Sequence, residues 1–309
     1  MRVKFRGLTH REALIFKGTQ RWAEFSPFVE YSDKEAARWL QAALSFANDP
    51  LPHLYRDSIG INATLPALGL DQIEKALAPF GEFRTVKIKV AETGQDLFDD
   101  LDRIRFVADR YPKVKIRLDA NGGFSVNQAI ELISQIKELP IEYFEQPVST
   151  IDQMIKLRAG LDDLNINIPL AADELIRKAE DPLLVARAQA ASIAVLKVQP
   201  LGGIAETLNI ASESGLDVVI SSALETSIGI SMGLHAAGSL PSLSHDCGLG
   251  TVSLLEGDVV HKPLVPVDGQ LPVVLVEPEP ELLIKYAADP ERTGWWLQRL
   301  SRCWELLQP

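Results

Sequence analysis

Cysteine is scarce in this sequence, with only Cys247 and Cys303 among 309 residues. Two thiols cannot build the disulfide framework of a small secreted protein, and such scarcity is typical of a reducing compartment. The sequence also lacks an apolar run long enough to span a bilayer, and its N-terminal segment lacks the apolar core and cleavage site of a secretory signal. We therefore expect a cytoplasmic protein with no membrane association.

Positive charge is also in short supply. There are 31 Lys and Arg against 42 Asp and Glu, which gives a net charge of −11 and a pI near 5.0. A nucleic-acid surface needs clustered Lys and Arg, so this balance argues against one. The hydrophobic content of 46% is that of a globular protein with room for one large domain and a smaller one. Composition leaves the oligomeric state open, and a monomer is compatible with it.

Short apolar or β-branched runs alternate with longer amphipathic stretches from about residue 59 to 245. This alternation predicts parallel strands joined by right-handed helical crossovers. Eight such runs in fewer than 200 residues favour a closed β/α barrel over an open sheet, and no Gly-x-Gly-x-x-Gly follows the early strand. The predicted strands are 59–65, 85–90, 114–120, 141–146, 166–173, 191–199, 216–222 and, more weakly, 241–246.

The two flanks have a different character. Residues 1–58 contain two strand-like runs around a turn and then a helix, "DKEAARWLQAALSFA". Residues 263–309 begin as Pro-rich extended chain and end in a helix-like tail, whose Trp295, Trp296 and Trp304 we expect to pack it against the body. We predict that the flanks form one α+β domain beside a barrel of residues 59–262.

Five consecutive predicted strands end in an ionisable residue. Their spacings are 30, 26, 28 and 24 residues, one β/α unit each, so all five can meet at the C-terminal mouth of a barrel, where catalytic groups lie. A solvated face explains one such residue but not five in succession. The residues are Lys89, Asp119, Glu145, Asp173 and Lys197.

Three carboxylates in one dry site must be compensated, because like charges there raise one another's pKa. Either the lysines neutralise them as a structural network, or they hold a hard cation. Three oxygen ligands without a nearby His or Cys favour Mg²⁺ or Mn²⁺ over Zn²⁺ and leave coordination positions for a substrate. Strand-end geometry favours the metal site, at Asp119, Glu145 and Asp173.

The stretch "RTVKIKV" (84–90) places Lys87 and Lys89 on the same face of a strand. A second ammonium and a divalent cation nearby disfavour the charged form of a lysine. A lysine in that setting can remove a proton from the carbon next to a carboxylate, and the cation stabilises the resulting enediolate. We predict Lys89 as the base and Lys87 as the neighbour that tunes it. Lys197 is then a second acid/base or a cation over the intermediate.

With these residues identified, the sequence resembles the enolase superfamily, whose members use a Lys or His base with Mg²⁺. The matching motifs occur in order: "KIK" (87–89), "LDANGGFS" (118–125), "FEQP" (144–147), "AADE" (171–174), "LKVQPLGG" (196–203) and "SSALETSIG" (221–229). The resemblance implies a (β/α)7β TIM-like barrel under an α+β capping domain formed by both termini.

Within that superfamily the chain is most similar to the o-succinylbenzoate synthases of menaquinone biosynthesis, especially the short actinobacterial type. "EFSPFVEY" (24–31), "NATLPA" (62–67), "FEQPVST" (144–150) and "DCGLGT" (246–251) carry this similarity. It implies Mg²⁺ at the three acids and a syn dehydration of 2-succinyl-6-hydroxy-2,4-cyclohexadiene-1-carboxylate. In that reaction Lys89 removes the proton and returns it to the departing hydroxide, while Lys197 faces the ring.

The resemblance also suggests residues that contact this small carboxylate substrate. Ser222 and Glu225 lie in the turn where the family receives the succinyl carboxylate, although a turn that caps the next helix explains them equally well. Asn121 follows a metal ligand, and Gly202 and Gly203 would let the backbone approach the substrate, although a loop into a helix also needs glycine.

Two other functions remain open at this stage. An N-acylamino acid racemase or dipeptide epimerase of the same superfamily would use Lys89 and Lys197 on opposite faces of an α-carbon. The segment "HDCGLG" (245–250) lacks the Asp-x-Asp that dipeptide epimerases present to a substrate ammonium, which favours the lyase. A barrel retained only for binding is poorly supported, because no predicted metal ligand or lysine is missing.

Overall fold

The computed structural model describes residues 1–3, 5 and 7–308. The predicted flanking domain also contains Lys4, Arg6 and Pro309, and for these three the prediction lies outside the described residues. Among the helices of the described part, none has the length and apolar character that crossing a membrane requires.

The strands within the described residues are three to five residues long. They are β1 (Leu14–Lys17), β2 (Trp22–Phe25), β3 (Ser58–Gly60), β4 (Ala63–Leu65), β5 (Thr85–Lys89), β6 (Lys115–Asp119), β7 (Ile141–Glu145), β8 (Leu170–Ala172), β9 (Ile193–Lys197), β10 (Asp217–Ser221) and β11 (Gln270–Pro272).

Helices follow most of the strands and also form much of the two flanks. They are α1 (Asp33–Asn48), α2 (Ile73–Leu77), α3 (Leu97–Arg110), α4 (Val126–Ile136), α5 (Ile151–Asp163), α6 (Glu174–Arg177), α7 (Leu184–Arg187), α8 (Val198–Leu201), α9 (Ile204–Ser214), α10 (Ser227–Gly238), α11 (Pro280–Lys285) and α12 (Pro290–Leu307).

Side-chain caps fix where the longer helices begin. The side chains of Ser32, Asp96, Ser125 and Thr150 each accept a hydrogen bond from the backbone N–H three residues on. The backbone N–H of each cap residue donates in return to the side chain of that third residue. Such reciprocal caps satisfy N–H groups that have no partner inside the helix, and losing one costs about 1 kcal/mol. Ser125 is the cap of α4. Gly215, with φ of +63°, ends α9.

Seven parallel strands form one sheet in the order β10-β9-β8-β7-β6-β5-β4. This confirms the α/β class with crossover helices. The predicted first strand, 59–65, is split: β3 pairs antiparallel with β11, and only β4 joins the barrel sheet. At the split, the N–H of Ile61 donates to the carbonyl of Gly269, and the N–H of Asn62 donates to the carbonyl of Cys247. The chain therefore changes partners between the two halves.

The predicted eighth strand is the weakest element of the barrel. Residues 241–246 form no strand, and the sheet is closed instead by two single-residue parallel bridges, Ile61 to Cys247 and Ser221 to Gly248. Pro241 cannot donate to a ladder, and the segment contains no β-branched residue that would favour extended chain. The strand prediction for 241–246 is therefore wrong, although the next two residues connect the two ends of the sheet.

The N-terminal and C-terminal flanks of the chain pack against each other. Trp296 of α12 packs edge-on against Phe25 of β2 with ring centroids 5.9 Å apart, and its indole N–H donates to Glu12 over 2.6 Å. Arg299 donates to the carbonyls of Phe28 and Tyr31. These contacts confirm that the C-terminal tail packs on the body. The prediction is wrong for Trp304, which stays 49% exposed.

Strand alternation places one set of side chains inside the barrel. On β7 to β10 the odd-numbered residues Tyr143, Ala171, Ile193, Val195 and Val219 form a cluster of their own, separate from the larger core. Because side chains alternate with a period of two, later odd-numbered residues on the same strands point to the same interior. Glu145 on β7 and Lys197 on β9 have this parity, so the alternation directs them inward.

Candidate active site

The register of the sheet brings the strand-end residues together. Lys89 lies opposite Asp119, and Asp119 lies opposite Glu145, in adjacent pairs of the ladder. Asp173 comes one residue after β8, and Lys197 is the last residue of β9. All three carboxylates are buried, with at most 2% of each residue exposed. The predicted residues therefore meet at the C-terminal mouth of the barrel.

Lysine ammonium groups contact all three acids. The Nζ of Lys87 lies 3.1 Å from Glu145 and 3.3 Å from Asp119, while the Nζ of Lys89 lies 2.8 Å from Asp119. The Nζ of Lys197 lies 2.5 Å from Asp173. The neutralising network that the sequence leaves open as an alternative is therefore present in this geometry.

Burial and neighbouring charges shift the pKa values of this network in different directions. Burial alone would raise the pKa of Asp119, but the ammonium groups of Lys89 and Lys87 outweigh it and lower the pKa to about 2. Burial and the nearby Asp119 raise the pKa of Glu145. Burial lowers the pKa of Lys87, yet the carboxylates of Glu145 and Asp119 more than compensate and raise it. Lys87 thus stays charged, as its predicted role beside Lys89 requires.

The donor set is chemically suited to a hard cation. Asp119, Glu145 and Asp173 offer only carboxylate oxygens from neighbouring strand ends, which is the ligand type that Mg²⁺ prefers. Among the described residues, these three acids do not form a group whose ligand oxygens all lie within 4.8 Å of one another. Among the described residues, a group with ligand atoms within 4.8 Å of one another is His261, Glu279 and Glu281. That group lies outside the cavity.

Asn121 links the base to the far side of the mouth. Its Oδ1 accepts a hydrogen bond from the Nζ of Lys89, and its Nδ2 donates to Glu174 over 3.1 Å. The guanidinium of Arg177 lies 2.6 Å from the carboxylate of Glu174 and 2.9 Å from that of Asp173. A continuous chain of polar contacts therefore connects Lys89 to the third acid.

A cavity lies over these groups. It contains about 570 Å³ of space between protein atoms, part of it open to solvent. Lys87, Lys89, Asp119, Asn121 and Lys197 line its floor. Its other walls come from the N-terminal segment, from α6 and from the loops after β9 and β10; they include Phe5, Phe28, Tyr31, Trp39, Glu174, Arg177, Ser221, Ser222, Ala223, Leu224, Gly248 and Thr251.

Not every predicted substrate contact faces this cavity. Ser222 does, and its hydroxyl donates to the carbonyl of Gly248 over 2.5 Å. Glu225 points behind the wall, where its carboxylate accepts from the N–H of Ala223 over 2.5 Å. The structure therefore favours the turn-stabilising alternative for Glu225.

Gly202 and Gly203 face the capping helix instead. Both have positive φ, +98° and +126°, and a Cβ on Gly203 would lie 3.4 Å from the Cα of Ala42 in α1. Neither lines the cavity. Their predicted contact with substrate is corrected to the close approach of a loop to α1.

Sequence reasoning missed the cavity residues contributed by the cap and by α6. Phe5, Phe28 and Tyr31 lie far from the barrel motifs in the chain, and the hydroxyl of Tyr31 accepts from Arg177 over 3.0 Å. Arg177 follows Asp173 by four residues, the spacing that puts two side chains on one helix face. That spacing was the available signal for Arg177.

Known proteins resemble the chain along its whole length. The profile described as enolase C-terminal domain-like matches residues 70–280, and the one described as enolase N-terminal domain-like matches residues 1–47. The o-succinylbenzoate synthase of Mycobacterium tuberculosis H37Rv is 47% identical over 310 aligned positions, covering 100% of this chain and 93% of that protein. The o-succinylbenzoate synthase of Mycolicibacterium smegmatis is 48% identical, covering 99% and 94%.

Solved structures show the same fold at lower identity. The muconate lactonizing enzyme of Pseudomonas fluorescens, complexed with muconolactone, superposes with a TM-score of 0.71 at 24% identity, covering 83% of this chain and 74% of that one. An isomerase from Streptomyces coelicolor A3(2) gives 0.67 at 25% identity, covering 82% and 74%.

Proposed function

Because the chain belongs to the o-succinylbenzoate synthase family of enolase-like proteins, we propose that it dehydrates 2-succinyl-6-hydroxy-2,4-cyclohexadiene-1-carboxylate to 2-succinylbenzoate. It is a carbon–oxygen lyase with a small dicarboxylate substrate. The observation that carries the proposal is the 47% identity to a curated synthase over the whole chain. The inward-facing lysines and acids on five adjacent strands support it.

We propose that Lys89 is the base. It takes the proton from the ring carbon that bears the carboxylate, and the electrons of that C–H bond move toward the carboxylate. Asn121 holds the Lys89 side chain through its Oδ1, and Lys87 stays anchored as a cation between Glu145 and Asp119.

The second half of the reaction uses the same lysine. Lys89, now an ammonium, gives its proton to the hydroxyl leaving the adjacent ring carbon, so the C–O bond breaks and water departs. The ring gains its third double bond and becomes aromatic, which makes the step downhill. Lys197 lines the same cavity, where its cation can face the ring of the intermediate.

We propose Asp119, Glu145 and Asp173 as the ligands of Mg²⁺, with Mn²⁺ as an alternative. When bound, the cation supplies a positive charge that stabilises the negative charge developing on the substrate carboxylate. Lys87 and Lys197 contact carboxylate oxygens of Glu145 and Asp173, two of these three residues.

Four wider assignments complete the proposal. Residues 1–58 and 263–309 act as the capping domain over a barrel of residues 59–262, and Phe5, Phe28 and Tyr31 support this because they roof the cavity. Asn121 and Ser222 contact or orient the substrate. The reaction belongs to menaquinone biosynthesis. It takes place in the cytoplasm.

The racemase alternative is less well supported. It needs two lysines on opposite faces of an α-carbon, and both Lys89 and Lys197 do line the cavity. However, the curated relatives described above are named as synthases. The segment 245–250 lacks the Asp-x-Asp of dipeptide epimerases. Its one aspartate, Asp246, accepts hydrogen bonds from the side chains of Arg84 and Thr85.

One experiment separates the two functions. Purified protein with Mg²⁺ is given the cyclohexadiene substrate, and in parallel an N-succinylamino acid in D₂O. Aromatic product with little deuterium exchange at the α-carbon supports the synthase. Exchange with loss of optical activity and no aromatic product would contradict it.

A further inference from the structure

A buried ion pair lies outside the cavity, on the helix that follows the Lys89 strand. Asp100 and Arg103 of α3 are each only 1% exposed, and their side chains meet at 2.8 Å. Moving two charges out of water is costly, so a buried ion pair is weak evidence of a purely stabilising role. Its other hydrogen bonds indicate what it holds.

The pair holds the backbone on both sides of one residue. Arg103 Nη1 donates to the carbonyl of Lys89 over 3.0 Å. Asp100 Oδ2 accepts from the N–H of Ala91 over 2.8 Å. The backbone that leaves β5 is therefore held by hydrogen bonds at Lys89 and at Ala91, on either side of Val90.

Arg103 ties this point to the neighbouring strand connection. Its Nε donates to the carbonyl of Leu68 over 3.1 Å, and its Nη2 donates to the side chain of Gln95. Leu68 follows β4, the strand beside β5. One guanidinium thus fixes the exits of two adjacent barrel strands relative to α3.

The turn at Ala91 is strained and tightly packed. Ala91 has φ of +58°, a left-handed conformation that is unfavourable for a residue with a side chain. A Cβ added to Gly123 would lie 2.8 Å from the Cβ of Ala91. Gly123 belongs to the loop that carries Asn121, whose Oδ1 accepts from Lys89. A shift of the backbone at Ala91 would therefore be passed to Lys89 along the chain itself. It would also be passed through the loop of Gly123 and Asn121.

We infer that the Asp100–Arg103 pair positions Lys89 for proton removal by fixing the backbone at residues 89–91. This inference rests on the proposed function, in which Lys89 is the base. Asp100 and Arg103 do not line the cavity, so they are positioning residues and contact no substrate. Displacing a reacting group by about 1 Å can lower a rate on the order of 100-fold.

The test is Arg103→Met, which keeps the side-chain stem and removes every donor. Arg56→Met is the matched control, because Arg56 also ties backbone carbonyls, those of Ala237 and Leu240, but away from the cavity. Each variant is assayed with substrate carrying hydrogen or deuterium at the carbon that loses its proton. Rates are scaled to the folded fraction measured by circular dichroism.

We expect Arg103→Met to lower kcat about 10- to 100-fold with KM within threefold of wild type. The deuterium isotope effect on kcat should equal or exceed that of wild type, because proton removal is the slowed step. Arg56→Met should keep kcat within threefold. If Arg103→Met does not fold, Asp100→Asn is measured instead, with the same expectations at the lower end of that range.

Two results overturn the inference. One is a folded variant that keeps kcat within threefold of wild type. The other is a lower kcat whose isotope effect falls toward one, since a step other than proton removal would then be slowed. A wild-type protein that forms no aromatic product overturns the proposed function itself, and the inference with it.

Discussion

A buried carboxyl group between the cap and the barrel gives a prediction about stability and pH. Glu24 of β2 is 1% exposed and accepts hydrogen bonds from the N–H groups of Thr226 and Gly229, at the start of α10. Burial, followed by the neighbouring Glu225, raises the pKa of Glu24 from 4.5 to about 7. The unfolded chain exposes this group to water and returns it to its ordinary pKa.

The sign and size of the effect follow from that shift. Between pH 4.5 and about 7 the folded protein keeps a proton on Glu24 that the unfolded chain releases. The resulting stabilisation is complete below pH 4.5 and is lost as pH rises through 7. A shift of about 2.5 units at 1.36 kcal/mol each corresponds to roughly 3 kcal/mol of unfolding free energy.

The perturbation is Glu24→Gln, which keeps the shape and an acceptor oxygen but cannot ionise. Between pH 4.5 and 8, urea unfolding should show that the free energy of unfolding falls by up to about 3 kcal/mol more in wild type than in the variant. Glu213→Gln, at an exposed position in α9, is the control and should follow wild type. Parallel pH curves for wild type and Glu24→Gln would refute the reasoning.

Three further variants test other parts of the account. Lys89→Ala should abolish turnover while fold and Mg²⁺ binding persist; activity within tenfold of wild type would exclude Lys89 as the base. Asp119→Asn should weaken Mg²⁺ binding at least about tenfold by calorimetry, because it removes one of three proposed oxygen ligands; unchanged affinity would place the cation elsewhere. Trp296→Ala should cost about 3–5 kcal/mol in urea unfolding, since a 4% exposed indole that bonds Glu12 leaves a cavity; a loss below 1 kcal/mol would show that the tail contributes little.

The strand ends could be predicted because a barrel converts sequence spacing into position. Lys89, Asp119 and Glu145 lie in register on adjacent strands, and a period of two fixes which face they share. Ser125 and Gly215 could be predicted because caps are local chemistry. The first signal is a regular spacing along the chain, and the second is the identity of a residue at a helix end.

The remaining features depend on contacts that spacing does not encode. Phe5 and Tyr31 reach the cavity only because the termini fold over the barrel, and Glu225 turns away because the N–H of Ala223 binds it. Gly203 serves the approach of α1, which no local pattern distinguishes from an approach of substrate. The barrel closes at Cys247 and Gly248, beyond the predicted strand, through single bridges that leave no periodic signal.

The formation of aromatic product by the wild-type protein tests the central claim most directly. The protein is stripped with a chelator, supplied with the cyclohexadiene substrate, and followed by ultraviolet absorbance before and after Mg²⁺ is added. We predict little 2-succinylbenzoate before the addition and rapid, complete conversion after it. No aromatic product with Mg²⁺ present, from a folded protein, would contradict the assignment.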